Sequence, residues 1–322
     1  MNILVTGGAG FIGSNYVRRI IDGTLKGISN IKVVDKLTYA GNLNNFSKVE
    51  RDKFEFIQAD ICDRQSLERI LIGIDSVINF AAESHVDRSI ENSYPFIETN
   101  VVGTSTLLDL SLKSGVNNFV QVSTDEVYGS IDDGSWQEDD PVLPNSPYSA
   151  SKASADLFCR SFHKTHNLNV KITRSSNNYG PFQFPEKIIP LFITNLLAGK
   201  KLPVYGNGQN KRDWLHVDDH CEGIHKVLQN GLAGEIYNIG GGTELSNLDL
   251  TIELLNLFGL KQDFIDFVPD RKGHDYRYSV DYSKIQNQLN YYPRIKFRNG
   301  IDSTIEWYKQ NSGWWKPLIR RK

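Results

Sequence analysis

The feature that most constrains this chain lies at its start. Thr6-Gly7-Gly8-Ala9-Gly10-Phe11-Ile12-Gly13 follows the apolar run Ile3 to Val5 and leads into a helix-period stretch, with glycines at 7, 10 and 13. That spacing permits a tight strand-to-helix turn, lets backbone approach a pyrophosphate and lets the helix press on the sheet. The helix amino end adds N–H donors and the positive end of its dipole. Alone, such a turn is only a way of joining a strand to a helix. Here it opens a strand–helix–strand unit, and Asp35 closes the next apolar strand where the ribose-binding acid of such units stands. An acid there accepts both ribose hydroxyls and repels a 2′-phosphate, which points to NAD over NADP, while adjacent Lys36 pulls the other way. Asp60-Ile61, after the third strand, is placed to flank an adenine, although an Asp ending a strand also serves as a helix cap.

The rest of the chain supports a doubly wound α/β fold. Apolar β-rich runs (Ile3 to Val5, Ile31 to Val34, Phe54 to Ile57, Ser76 to Phe80, Phe119 to Val122, Val170 to Thr173) alternate with helix-period stretches. This rhythm gives a parallel sheet with helices on both faces. After Asn177 it changes, with Pro181, Pro185, Pro190 and Pro203 punctuating short helices and Gly206, Gly208 and Gly240 to Gly242 marking turns. We read residues 1–178 as a dinucleotide-binding Rossmann domain and 179–213 with 241–322 as a smaller, mixed α/β substrate lobe. Residues 214–240 are interleaved with the first domain, because Glu235 to Ile239 can return to the sheet. Near the carboxyl end, Ile301, Ile305 and Tyr308 with Trp307, Trp314 and Trp315 suggest an amphipathic helix packed on the body. The closing Arg320-Arg321-Lys322 reads as a solvated tail.

Composition excludes several classes. Among 322 residues, 36 Lys and Arg against 38 Asp and Glu leave a net charge of -2, without the basic excess that nucleic-acid binding requires. Cys62, Cys159 and Cys221 lie far apart, so neither a disulfide framework nor a zinc site is expected. No apolar run approaches the ~20 residues of a membrane helix. Met1 runs straight into the first strand without the features of a signal peptide, so a cytoplasmic protein is expected.

Tyr148 and Lys152 form a YxxxK pair that a helix stacks on one face. A Lys ammonium there stabilises a phenolate, so a Tyr with an ordinary pKa of about 10 can serve as a base near neutrality. Tyr292 and Lys296 share the spacing, but Pro293 and the extended Ile295-Lys296-Phe297 argue against one helical face. Upstream, the strand from Phe119 ends in Thr124-Asp125-Glu126, at the carboxyl edge where parallel sheets form their ligand crevice. Side chains alternate along a strand, so Asp125 and Glu126 both reach a pocket only where the chain is already turning out of it. Helix capping by Thr124 or Asp125 is the plainer alternative. His163 and His166 fall late in a helix, and His216 and His220 flank a helix start at Asp218-Asp219. Neither pair suggests a metal site.

These residues carry a resemblance. The glycine turn with Tyr148 and Lys152 is similar to the extended short-chain dehydrogenase/reductase superfamily. Three blocks narrow it: Ala81-Ala82-Glu83-Ser84-His85-Val86-Asp87-Arg88-Ser89, Ser123-Thr124-Asp125-Glu126-Val127-Tyr128-Gly129 and Asn177-Asn178-Tyr179-Gly180-Pro181. Over essentially its whole length the sequence resembles the dTDP-glucose 4,6-dehydratase family. Pro185-Glu186-Lys187, Leu202 to Gly206, Arg212-Asp213-Trp214 and Asp270 to Asp275 match as well. Epimerases of the superfamily share the Ser/Thr, Tyr and Lys but lack the Asp-Glu pair, which makes that pair the specific signal. Two departures stand near the nucleotide end: Lys272 where many members carry Pro, and Tyr276 where many carry Arg.

The resemblance implies a lyase that converts dTDP-glucose to dTDP-4-keto-6-deoxyglucose and water with NAD, in 6-deoxysugar biosynthesis. Hydride would leave C4 for NAD while Tyr148, tuned by Lys152 and aligned through Thr124, takes the O4 proton. Glu126 would then remove the C5 proton while Asp125 protonates the departing C6 hydroxyl, since hydroxide leaves poorly without an acid. Hydride finally returns to C6 and a proton to C5. The resemblance places the cofactor against Gly7, Gly10, Phe11, Ile12 and Gly13, then Asp35, Lys36, Leu37 and Thr38, then Asp60 and Ile61. Phe80, Ala81, Ala82, Ser84 and Thr99 follow, with Tyr148, Lys152 and Asn178. It places Ser84 and Thr124 by the sugar, and Arg212 and Arg271 by the diphosphate, with Asn177, Lys187, Ile188 and Asn247 nearby. Pro203, Val204 and Tyr205 belong around the nucleotide, as do Asp270, Lys272, Gly273 and His274. It also implies a homodimer paired through two helices per subunit, within Phe96 to Lys113 and Ala153 to His166.

Overall fold

Alternation in the first strand shows how the sheet is covered. Ile3 and Val5 turn to one apolar cluster and Leu4 to another, and all three are fully buried. In chain order the strands are β1 (Asn2–Thr6), β2 (Asn30–Asp35), β3 (Glu55–Gln58), β4 (Ser76–Asn79), β5 (Asn118–Thr124) and β6 (Val170–Ser175). They continue with β7 (Asn177–Tyr179), β8 (Leu202–Tyr205), β9 (Lys211–His216), β10 (Ile236–Ile239), β11 (Glu244–Ser246) and β12 (Ile265–Val268). The computed structural model describes residues 1–319, so the tail 320–322 lies outside the described residues.

Seven strands form a parallel sheet in the order β10-β6-β5-β4-β1-β2-β3. The expected return of the chain to this sheet occurs at β10, which pairs with β6 from Ile236 opposite Ile172 to Ile239 opposite Ser175. The smaller lobe holds a mixed sheet, with β9 antiparallel to β11 and parallel to β7, and a parallel pair β8 and β12.

The helices are α1 (Phe11–Ile21), α2 (Arg64–Ile70), α3 (Val86–Glu91), α4 (Tyr94–Phe96), α5 (Thr104–Lys113) and α6 (Pro147–His166). Then come α7 (Ile188–Leu197), α8 (Val217–Asn230), α9 (Asn247–Leu257), α10 (Ser283–Leu289), α11 (Phe297–Gln310) and α12 (Ser312–Ile319). One face of the large sheet is covered by Tyr16 and Val17 of α1 with Ile224 and Val227 of α8. The other is covered by Leu67 of α2, Leu107 and Leu108 of α5 and Cys159 of α6. A third cluster, including Phe192, Trp214, Leu250 and Ile301, is the core of the smaller lobe. Instead of one carboxyl-terminal helix there are two. The chain breaks at Asn311, whose backbone and side-chain amides both donate to Trp307 O.

Local chemistry sets the helix that carries Tyr148 and Lys152. Ser146 caps α6 through a reciprocal Ser146/Ser149 capping box, and Pro147 occupies its first position, where no N–H is needed. Between α4 and α5 the residues Ile97–Gly103 wind as a π-helix. Within it, Asn100 accepts from Glu83 N at 2.9 Å and donates to Glu83 O and to Ser151 Oγ at 3.0 and 2.8 Å.

Behind Lys152 on α6, Asp156 accepts from Arg174 Nε at 2.9 Å, with both side chains at most 5% exposed. Removing one partner of such a pair strands the other charge, so Asp156→Ala is expected to cost about 3–5 kcal/mol. Urea denaturation against the parent protein measures it.

Candidate active site

The carboxyl ends of β1, β2, β4, β5 and β6 open into a cavity of about 540 Å³ closed on its far side by the smaller lobe. Its floor is the glycine turn. A Cβ on Gly7, whose φ is +63°, would stand 2.6 Å from Ala81 N, and one on Gly13 would stand 2.5 Å from Gly7 O. Gly10 starts α1 with no side-chain cap and no acid in the first turn, so the first amides of α1 remain as donors facing the cavity. Asp35 ends β2 with one carboxylate oxygen accepting from Ala9 N at 2.9 Å and the other from Leu37 N at 2.7 Å. Lys36 is spent on Asp60, Nζ to Oδ2 at 2.5 Å, and Asp60 also accepts from Cys62 N. The cap of α2 is Asp63, not Asp60.

The two carboxylates after β5 sit on a turn. The strand ends at Thr124, and Asp125–Tyr128 form a 3₁₀ turn, which frees consecutive side chains from strand alternation. Thr124 does cap that turn, its Oγ1 accepting from Glu126 N at 3.3 Å, and it also bonds Asp125 Oδ1 at 3.2 Å. Thr124 and Glu126 line the cavity. Asp125 is 2% exposed and stands behind that wall, its Oδ2 without a partner. Burial first, then the neighbouring charges of Glu126 and Asp213, push the Asp125 carboxyl well above the usual range. Burial also raises Glu126, while Arg271, Lys187 and Arg212 pull it back toward the ionised form.

Tyr148 and Lys152 reach the cavity from α6. Burial and then the charges of Glu126 and Asp125 push the Tyr148 phenol up, and a hydrogen bond from Thr124 opposes them. Lys152 donates to Val122 O at 2.7 Å, and burial lowers its pKa while Asp156 raises it. The second YxxxK pair lies in non-helical chain, since α11 begins at Phe297, after Lys296.

Most of the other residues singled out from the sequence meet in the same cavity. From the first domain these include Phe11, Ile12, Thr38, Ile61, Phe80 and Ala81. Ala82, Ser84, Thr99, Asn177 and Asn178 complete that side, and Lys187, Ile188, Pro203, Tyr205, Asn247 and His274 come from the lobe. Six stand off its wall. Besides Asp125, Leu37 packs against the core at φ +59° and Val204 is buried in the lobe. Asp270, Lys272 and Gly273 are exposed, with Asp270 accepting from His274 Nδ1 at 2.6 Å. Tyr276 is 49% exposed. Arg212 lines the cavity but donates to the carbonyls of Lys211, Tyr276 and Asp275 and stacks 4.3 Å over the Tyr278 ring. Arg271 pairs with Asp87 at 3.8 Å, leaving its Nε without a partner. Buried polar atoms without partners gather here: Glu126 Oε2, Asn177 Oδ1, Ser176 Oγ and Asp87 Oδ1. Buried polar groups are usually met by protein, water or a bound group. Sequence reasoning missed Glu186, Phe182 and Trp314, which also line the cavity. The Pro185-Glu186-Lys187 block was a signal for the first.

Comparison with known proteins agrees with this geometry. A family model described as GDP-mannose 4,6 dehydratase matches residues 4–304. The chain is 55% identical over 324 residues to a dTDP-glucose 4,6-dehydratase of Streptomyces antibioticus, covering 100% of this chain and 96% of that one. The chain belongs to the dTDP-glucose 4,6-dehydratase family. An Escherichia coli dTDP-glucose 4,6-dehydratase is 44% identical, with coverage of 99% and 96%. Among solved structures, DesIV, the dTDP-glucose 4,6-dehydratase of Streptomyces venezuelae solved with NAD bound, superposes with a TM-score of 0.98 at 54% identity, covering 99% and 100% of the two chains. A UDP-glucose 4-epimerase of Thermotoga maritima shares the fold at a TM-score of 0.89 and 30% identity, covering 97% of this chain and 100% of that one. Fold alone therefore does not separate dehydratase from epimerase.

The raised carboxyl of Asp125 has a consequence for stability. Its folded pKa lies above the unfolded value of about 3.9, so above that value unfolding is linked to proton release and is favoured as pH rises. Stability from this group is full below that value and is lost as pH rises above it. Asp125→Asn is expected to raise the thermal midpoint at pH 7, and the gain should shrink as pH is lowered toward 4. Scans of both proteins across that range check it.

Proposed function

We propose that this chain converts dTDP-glucose to dTDP-4-keto-6-deoxyglucose and water, with NAD held at the glycine turn and with Thr124, Asp125, Glu126, Tyr148 and Lys152 as the residues that carry out the reaction. The observation that carries this reading is the pairing of Glu126, open on the cavity, with Asp125, buried behind it with its carboxyl pushed toward the neutral form, beside Tyr148. An elimination needs a base and an acid together, and two adjacent carboxyls in different environments supply both.

The uncapped amino end of α1 suits a pyrophosphate, and Asp35 suits the ribose hydroxyls. Lys36, already paired with Asp60, is not free to favour a 2′-phosphate. Bound NAD supplies the acceptor for the C4 hydride and its return to C6. Tyr148 takes the O4 proton. The Thr124 hydroxyl offsets part of the upward push that burial and the carboxylates give its phenol, and Lys152 brings a cation to the same cavity wall. Glu126, held toward its ionised form by Arg271, Lys187 and Arg212, removes the C5 proton that the new 4-ketone has made acidic. Asp125 delivers its proton to the departing C6 hydroxyl, which leaves as water, and Glu126 returns a proton to C5 as the hydride reaches C6. The smaller lobe, 179–213 with 241–322, presents Arg271 and Arg212 to the diphosphate and Tyr205 and His274 to the nucleotide. A soluble nucleotide-sugar substrate fits a cytoplasmic location.

Glu126→Gln and Asp125→Asn are expected to lower turnover by about 10²–10⁴-fold, with Glu126→Gln also losing solvent deuterium at C5. Tyr148→Phe should stall earlier, so substrate deuterated at C4 should show a larger isotope effect in this variant than in the other two. Parent-like turnover in both carboxamide variants would reduce the Asp-Glu pair to a helix cap.

A homodimer is part of the same reading. Tyr94, Ile97, Val102, Leu157 and Phe158 are apolar and 38–68% exposed along α4, the π-helical stretch and α6. Two adjacent helical stretches with apolar side chains left in solvent suit pairing with a second copy in a four-helix bundle. Light scattering at micromolar concentration should give twice the chain mass, and Leu157→Glu should halve it.

A further inference from the structure

Residues 182–187 cross from the smaller lobe over the cavity, and both ends of the crossing are fastened to the first domain. At one end Phe182 adopts φ +67°, which places its ring 4.4 Å from Trp307 and 5.6 Å from Trp314 with the Arg18 guanidinium of α1 at 4.1 Å. Trp314 in turn donates to Asn45 Oδ1 at 3.0 Å. At the other end Glu186, only 3% exposed, accepts from Tyr39 Oη at 2.9 Å. Its second oxygen lies 3.6 Å from Arg88 and 3.7 Å from His85. Arg88 stacks 3.7 Å over the Tyr39 ring, and Phe184 meets that ring edge-on at 5.5 Å. Next along, Lys187 donates to Ser84 O at 2.6 Å. Tyr39 lies in the loop that follows Asp35, and Phe182, Phe184 and Glu186 line the cavity whose floor is the glycine turn.

We propose that residues 182–187 form a strap closed over the cofactor site, and that Tyr39 and Glu186 are positioning residues that hold it shut so that NAD stays bound from one turnover to the next. This rests on the cofactor assignment above. The proposed reaction returns the hydride it takes, so exchange of the cofactor serves no step. The Tyr39 hydroxyl is the one donor within normal hydrogen-bond distance of the Glu186 carboxylate among the described residues, since both cations stand farther off. Opening the strap exposes that carboxylate and breaks this bond, and this resists release.

The test is exchange of bound NAD into an excess of isotopically labelled NAD, in the parent, Tyr39→Phe and Glu186→Gln. Tyr39→Phe keeps the ring that Arg88 and Phe184 contact and removes only the donor, so it carries the test if Glu186→Gln does not fold. Loss of a hydrogen bond to a charged group predicts exchange roughly tenfold to a hundredfold faster in both variants. At saturating NAD, Tyr39→Phe should keep the parent turnover. Exchange at the parent rate in Tyr39→Phe overturns the strap and leaves the cofactor assignment standing. A parent protein that neither carries nor takes up NAD overturns the assignment itself.

Discussion

The close approach of Gly7 to the end of β4 is the contact on which the cavity depends. β1 lies between β4 and β2 in the sheet, where connections run to opposite sides and the strand ends part. A side chain at residue 7 would collide with the backbone of Phe80 and Ala81. With glycine there, the turn drops against β4, α1 begins directly above it, and Ala9 N meets Asp35. The same few ångströms thus set the aim of the α1 amides, the place of the β2 acid and the start of the loop that carries Ser84.

Above this floor the site is governed by charges held away from water. Burial drives each group toward neutrality: it raises Asp125, Glu126 and Tyr148 and lowers Lys152, Lys187 and Arg212. What separates Asp125 from Glu126 is the company each keeps. Glu126 faces three cations first, whereas Asp125 meets Glu126 and Asp213 before Arg212. One pKa unit corresponds to about 1.4 kcal/mol, so modest differences in surroundings suffice to divide an acid from a base.

Much of this was legible in the sequence, because short-range spacing encodes it. The glycine turn, the strands with their apolar runs, Asp35 at the end of β2 and Tyr148 with Lys152 on one helix each sit within a few residues of their signal. What escaped depends on distant pairings. Nothing local announces that the Tyr39 hydroxyl meets a carboxylate 147 residues away, or that Phe182, a residue type ill suited to positive φ, is held there by Trp307 and Trp314. The 3₁₀ turn after Thr124 was an open condition in the sequence, and the structure meets it while placing Asp125 one layer deeper than Glu126. Lys152 was expected to act on Tyr148. Its hydrogen bond to Val122 O depends on where β5 runs beneath α6, which spacing along α6 cannot convey.

The π-helical stretch Ile97–Gly103 has a mechanical meaning. Asn100 joins Glu83, one residue before Ser84, to Ser151, one residue before Lys152, through a single buried side chain. Ser89, in α3 just beyond that loop, accepts from Tyr148 N at 3.2 Å. The loop that carries Ser84 and the helix bearing Tyr148 are therefore riveted to one another at two points. Any displacement of the smaller lobe would therefore leave Tyr148 and the Ser84 loop moving as one body, with only the gap to the lobe free to change.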